Sequence, residues 1–176
     1  FRNGWLEYQP TRLDAIRATA LVTNATKMDA DGCHITYDVI EALVGTPFGN
    51  RLEQLGFSEG TSPTRLESTA LICALHGFPR LRALAITGYM AGGREFYRVL
   101  ARISNERPAG TGLRNLAIRE LDATDEYVAE ACRTEGLEVL TLDGIDATRG
   151  IVDAILGGAA AATLTTVSIR YCAYAP

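Results

Sequence analysis

The sequence predicts an α/β solenoid, in which short parallel strands alternate with helices and each strand–helix unit stacks on the one before it. Three observations predict it. Leu137, Leu140, Leu142, Ile145 and Ala147 stand at steps of three, two, three and two, and one unit upstream Leu113, Leu116, Ile118, Leu121 and Ala123 repeat the spacing. Both runs continue through Asp-Ala-Thr, at 122–124 and 146–148. Both then enter a helical pattern. A unit of this length cannot bury its own apolar face, so self-similarity at this period implies stacking.

The remaining elements follow in chain order. Leu13, Ile16, Ala18, Leu21 and Thr23 fit the template with a small residue, Ala18, at a large position. Asn24–Gly32 reads as a polar loop, with Asp29, Asp31 and Gly32 as turn formers. Asp29–Gly32 resembles the start of a calcium loop, but Thr36 and Val39 occupy its downstream acidic positions. Val39, Ile40, Leu43 and Val44 predict a helix over Tyr37–Val44, stopped by Gly45 and Pro47. Leu52, Leu55 and Phe57 mark a strand. Ser62-Pro63 caps a helix running to His76, where Gly77 ends it. Leu81, Leu84 and Ile86 mark the next strand, and a Gly92-Gly93 turn leads into a helix carrying Phe96, Val99, Leu100 and Ile103. The two echoing units carry helices near 125–133 and 149–156. The last strand holds Leu164, Val167 and Ile169, with Cys172 at the ninth position.

The unit starts are therefore Leu13, Leu52, Leu81, Leu113, Leu137 and Leu164. Their intervals are unequal, the longest from Leu13 to Leu52 and the shortest from Leu113 to Leu137. Irregular units of this size, each with a true helix, resemble the ribonuclease-inhibitor-like class of leucine-rich-repeat proteins and the repeat domains of F-box proteins. The resemblance implies a curved parallel β-sheet inside, helices on the convex side, and about five to six repeats. It covers 51–176 as clear repeats and 1–50 as an irregular N-terminal repeat or cap, all in a single domain.

Strand alternation puts the residues between the leucines on the inner, concave surface. The middle column reads Gly56, Ala85, Ala117, Thr141 and Ser168, small residues that leave room for a partner. Candidate partner-binding residues are Gln54, Ser58, Thr87, Asn115, Arg119, Glu120, Thr141, Asp143, Ser168, Arg170 and Tyr171. The plainer reading of Arg119, Asp143 and Arg170 is a cross-strand charge ladder, worth about 0.2–1 kcal/mol per opposite pair.

Composition narrows the function. A formal net charge of −4 argues against nucleic acid as the default partner. Lys27 is the only lysine among 17 basic residues, a bias that reads as genome composition. No apolar run reaches a membrane span, since Gly157 and Gly158 break the longest. The four cysteines stand singly and Cys33-His34 has no second pair for a metal site, so an intracellular, cytoplasmic setting with reduced thiols is expected. Asn24–Thr26 is a glycosylation sequon of a kind that arises by chance. His34 and His76 are the only histidines, and His76 reads as a surface residue at a helix end. Asp122, Asp125, Glu126 and Glu130 read as a solvated helix face. Cys73 and Cys132 read as small core residues.

No nucleophile, base and orienting group come together, so neither an enzyme nor a cofactor is expected. The expected function is protein–protein interaction, a scaffold or subunit holding a protein partner on the concave face. Two alternatives follow from the resemblance. One is the substrate-recognition part of an F-box ubiquitin-ligase adaptor, although Gly4–Pro10 is too short to hold an F-box. The other is a GTPase-activating repeat domain similar to the Ran activator, with Arg119 or Arg170 as its arginine. A nucleotide-binding α/β enzyme would need a glycine-rich turn after its first strand. The chain opens on Phe1 and closes soon after the last strand, so a fragment of a longer chain is expected. Further repeats, a cap or a partner subunit would then cover the edge at Leu164–Ile169.

Overall fold

The computed structural model describes residues 5–7, 25–34, 37–58, 75–87, 93–119, 124–145 and 148–170. Its strands are β1 (Trp5–Glu7), β2 (Lys27–His34), β3 (Gln54–Ser58), β4 (Ala83–Thr87), β5 (Asn115–Arg119), β6 (Val139–Asp143) and β7 (Thr166–Arg170). They form one seven-stranded sheet, parallel throughout and ordered as in the chain. The described sheet therefore lacks the reversal of strand order that opens the crevice of a doubly wound sheet. Helices α1 (Tyr37–Leu43), α2 (Gly93–Asn105), α3 (Asp125–Ala131) and α4 (Arg149–Gly157) lie in the connections.

The register explains the leucine spacing. Leu6, Met28, Leu55, Leu84, Leu116, Leu140 and Val167 are successive partners across the sheet. Met28, Leu55, Leu84, Leu116 and Leu140 are each at most 2% exposed. They share one core with Phe96 and Leu100 of α2, Val128 of α3 and Ile151 of α4. Full burial of one such side chain contributes roughly 1.5–3 kcal/mol. No single unit can achieve that burial without its neighbours.

A repeated backbone rung holds the units in step. The carbonyl of Thr26 accepts from the N–H groups of Glu53 and Gln54. Those of Glu53, Arg82, Arg114 and Glu138 likewise accept from 82 and 83, 114 and 115, 138 and 139, and 165 and 166. Each rung satisfies two donors at the point where a chain segment enters its strand. Side chains complete the joints: Leu113 N–H donates to buried Ser104 Oγ at 2.8 Å, and Thr163 Oγ1 donates to the Leu137 carbonyl at 2.8 Å. Gly136, between α3 and β6, has φ 74°, a left-handed conformation that a side chain would disfavour.

The N-terminal part departs from the sequence reading. Residues 24–32, expected as a loop, supply most of β2, and the strand before it is Trp5–Glu7. The Leu13–Thr23 unit lies outside the described residues. Met28 is fully buried in the leucine column and Ala25 is buried just before it, so methionine and alanine stand where the template demands leucine. The interval from Met28 to Leu55 equals that from Leu137 to Leu164, in line with the later units. The register then jumps from Ala30–Phe57 to His34–Ser58, so Asp31, Gly32 and Cys33 are extra residues in β2. The turn-forming character read there belongs to a bulge. The helix expected from Ser62 lies outside the described residues, except for its end at Leu75 and His76.

Glu130 also departs, because it is 1% exposed and not on a solvated face. Arg94 Nε–H of α2 donates to Glu130 Oε1 at 2.8 Å, and Arg133 Nε lies 3.2 Å from Oε2. This pairing fastens α2 to α3, and contact with Glu130 raises the basicity of Arg94 further. By contrast, Asp125 reaches α4, where it accepts from Thr148 Oγ1 and abuts Gly150.

Leu140→Ala should cost about 2–5 kcal/mol in denaturant unfolding, and Leu140→Asp should abolish the cooperative transition. Unchanged unfolding in Leu140→Asp would mean that Leu140 does not sit in a shared core.

Candidate functional site on the open sheet face

The same alternation that buries the leucines turns every second residue the other way. In β4 and β6 the intervening residues are half-buried, and in β5 Asn115 and Arg119 are exposed. This face carries a groove of about 290 Å³. Its floor is Gly56, Ala85, Ala117 and Thr141, successive partners in register. With strands about 4.8 Å apart, the floor spans roughly 14 Å.

Gly56 lets Asp29 approach the floor closely. A Cβ there would lie 3.2 Å from Asp29 Oδ1 and 3.8 Å from the Ala85 Cβ, tightening the end of the groove. Asp29, its register partner on β2, forms that end. Sequence reasoning misses Asp29 as a site residue because its segment reads as a loop. The available signal is its position one residue after Met28, matching Gly56 after Leu55.

Of the residues predicted for partner binding, Gln54, Thr87, Asn115, Arg119 and Thr141 all line the groove. Asp143, Ser168 and Arg170 stand further along the same rows, beyond its lining. Thr87, Arg119, Asp143 and Arg170 are consecutive in register, so positive, negative and positive residues stand side by side on β5, β6 and β7. Ser58 is the register partner of Thr87, and His34 of β2 precedes it in that row. Glu120 and Tyr171 lie outside the described residues.

A second row was not anticipated. Glu53, Arg82, Arg114 and Glu138 each immediately precede a strand, and together they line a smaller depression of about 210 Å³. Arg114 Nη1–H donates to Glu138 Oε1 at 2.6 Å. These are also the residues whose carbonyls form four of the rungs, so their side chains sit at a fixed backbone position in every unit.

The described residues contain no group of three side chains suited to hold a metal ion, and no described helix is long and apolar enough to cross a membrane. Cys132 sits fully buried at the end of α3. Burial pushes its thiol up to about 11, which keeps it neutral and a poor nucleophile near neutral pH. No protein-family model matches the chain, and no curated protein matches it.

The unfolded chain ionises this thiol from about pH 9 upward, while the folded protein resists until about pH 11. The stability it contributes is present below pH 9 and is lost as pH rises through 11. The parent chain should therefore lose stability more steeply over that window than Cys132→Ala, measured by urea unfolding at each pH. Parallel curves would show that the thiol is not shielded.

Proposed function

We propose that this chain is a leucine-rich-repeat solenoid whose open sheet face binds a protein partner, acting as a scaffold or subunit and performing no chemistry of its own. The strand order, the in-register leucine column and the repeated carbonyl rung support the repeat assignment. The observation that carries the binding reading is the one-sided burial of the sheet. Helices and core cover one face, while the other keeps a shallow groove with a floor of small side chains. Such a floor lets a partner's side chains or backbone approach the strands closely.

The flanking rows supply the means of discrimination. Gln54 and Asn115 offer amide donors and acceptors on one side of the floor. The positive–negative–positive row on the other favours a partner with the opposite alternation, governing encounter and register more than raw affinity. The groove lies at the small end of the range for small-molecule pockets and is open along the sheet. A protein segment laid across several strands fits that shape better than an enclosed ligand does.

The test is comparative capture by the full chain. Ala117→Trp fills the floor, Arg119→Glu with Asp143→Arg and Arg170→Glu reverses the charged row, and Arg98→Ala alters the exposed outer side of α2. Partners should be lost with the first two variants, by tenfold or more in affinity, and kept with the third. Capture that survives both groove variants while the fold is intact would overturn the concave-face reading.

A further inference from the structure

The smaller depression adjoins the groove where the chain enters β3 to β6. It shares Gln54, Ala83 and Asn115 with the groove, so the two concavities are continuous. Across it, the residues that precede the strands run Glu53, Arg82, Arg114 and Glu138. Two cations therefore stand on adjacent strands, with one carboxylate outside each of them.

Pairing within this row is uneven. Arg114 donates through Nη1 to Glu138 at 2.6 Å, and the two side chains remain 40% and 41% exposed. Arg82 is exposed and makes no ion pair among the described residues, with Glu53 or with any other carboxylate. The backbone fixes where both arginines start, since the Arg114 N–H donates to the Arg82 carbonyl at 2.8 Å. Strands about 4.8 Å apart thus hold two guanidinium-bearing residues abreast. Like charges so placed oppose each other, and an anion between them relieves that opposition.

We propose that Arg82 and Arg114 form a clamp for one carboxylate, supplied by an acidic side chain of the protein segment that lies in the groove. The inference rests on the groove reading and adds to it the chemistry of the partner. Guanidinium groups present planar forks of N–H donors that match the two oxygens of a carboxylate. Arg82 offers its whole fork, and Arg114 keeps donors beyond the one that Glu138 takes. Arg82 lies three residues along its strand from Ala85 of the floor, roughly 10 Å. A short stretch of extended chain covers that distance. The two glutamates set the charge of the ligand. Glu53 and Glu138 balance Arg82 and Arg114, so a single negative charge is accepted between the arginines, whereas a phosphate dianion meets a carboxylate on either side.

Titrating the full chain with N-acetylglutamate amide, which carries one carboxylate, should move the Nε–H resonances of Arg82 and Arg114 saturably at millimolar concentration. Its neutral counterpart, N-acetylglutamine amide, should not move them, and inorganic phosphate should bind more weakly. Arg82→Gln should abolish the saturation without lowering the midpoint of urea unfolding, because no ion pair is lost. Peptides selected from a random library on the full chain should carry an aspartate or glutamate whose replacement by the amide costs about tenfold in affinity. The same replacement should cost nothing on Arg82→Gln. Absence of saturable shifts, an equal response to the neutral probe, or tighter binding of phosphate would overturn the proposal. Peptides that are lost with Ala117→Trp yet show no acidic preference would overturn it too, and leave the groove reading intact. Peptides retained by Ala117→Trp would overturn the groove reading and this use of the clamp with it, while the probe titration still reports the clamp itself.

Discussion

Each core side chain of the sheet leaves water only because the side chains in register with it on both neighbouring strands do the same. Leu84 lies between Leu55 and Leu116, and Leu116 between Leu84 and Leu140. This mutual shielding sets the rest of the architecture. It requires parallel strands at one register, hence a crossover between each pair, hence a helix or loop on the covered face. The recurring carbonyl rung fixes the register at the entry to each strand, so lateral packing and hydrogen bonding favour the same alignment. Unit length can then vary, as between the long Leu81–Leu113 unit and the short Leu113–Leu137 unit, because the difference is taken up in the connections.

A sheet covered on one side has a free side, and the same period-two alternation that builds the core also arranges it. Side chains there are spaced by strand geometry across the sheet and by pleat along it. Small residues in the middle row, amides on one side and charges on the other are held as a rigid array. Asp29 closes the array at β2, its carboxylate oxygen 3.2 Å from where a Cβ on Gly56 would stand. On the helical side, Glu130 has a different task. Its charge is tolerated in the core because two arginines from α2 and the end of α3 flank it, which links adjacent units through an ion pair as well as through packing.

Legibility in the sequence followed how closely each unit kept the leucine template. The strands at 115–119 and 139–143 and the helices after them were plain, because Leu116, Ile118, Leu140 and Leu142 hold the large positions. β2 was hidden. Met28 and Ala25 fill core positions that leucine would have announced, and three extra residues in the strand mimic a turn. Glu130 was misplaced because a carboxylate on a helix is ordinarily solvated, and its two arginine partners come from sites 36 residues before it and three after. Most of the groove could be read from alternation alone, as with Gln54, Thr87, Asn115, Arg119 and Thr141. Asp29 and the row of Glu53, Arg82, Arg114 and Glu138 needed the register.

By itself, the sequence determined the strands from β3 to β7 and the face on which their residues lie, since these depend on local periodicity and on which side chains avoid water. Only the tertiary structure decided which residues stand abreast. Register is a relation between segments a whole unit apart, and no local preference specifies it when methionine or alanine replaces leucine. The groove and the charged rows both arise from that lateral alignment.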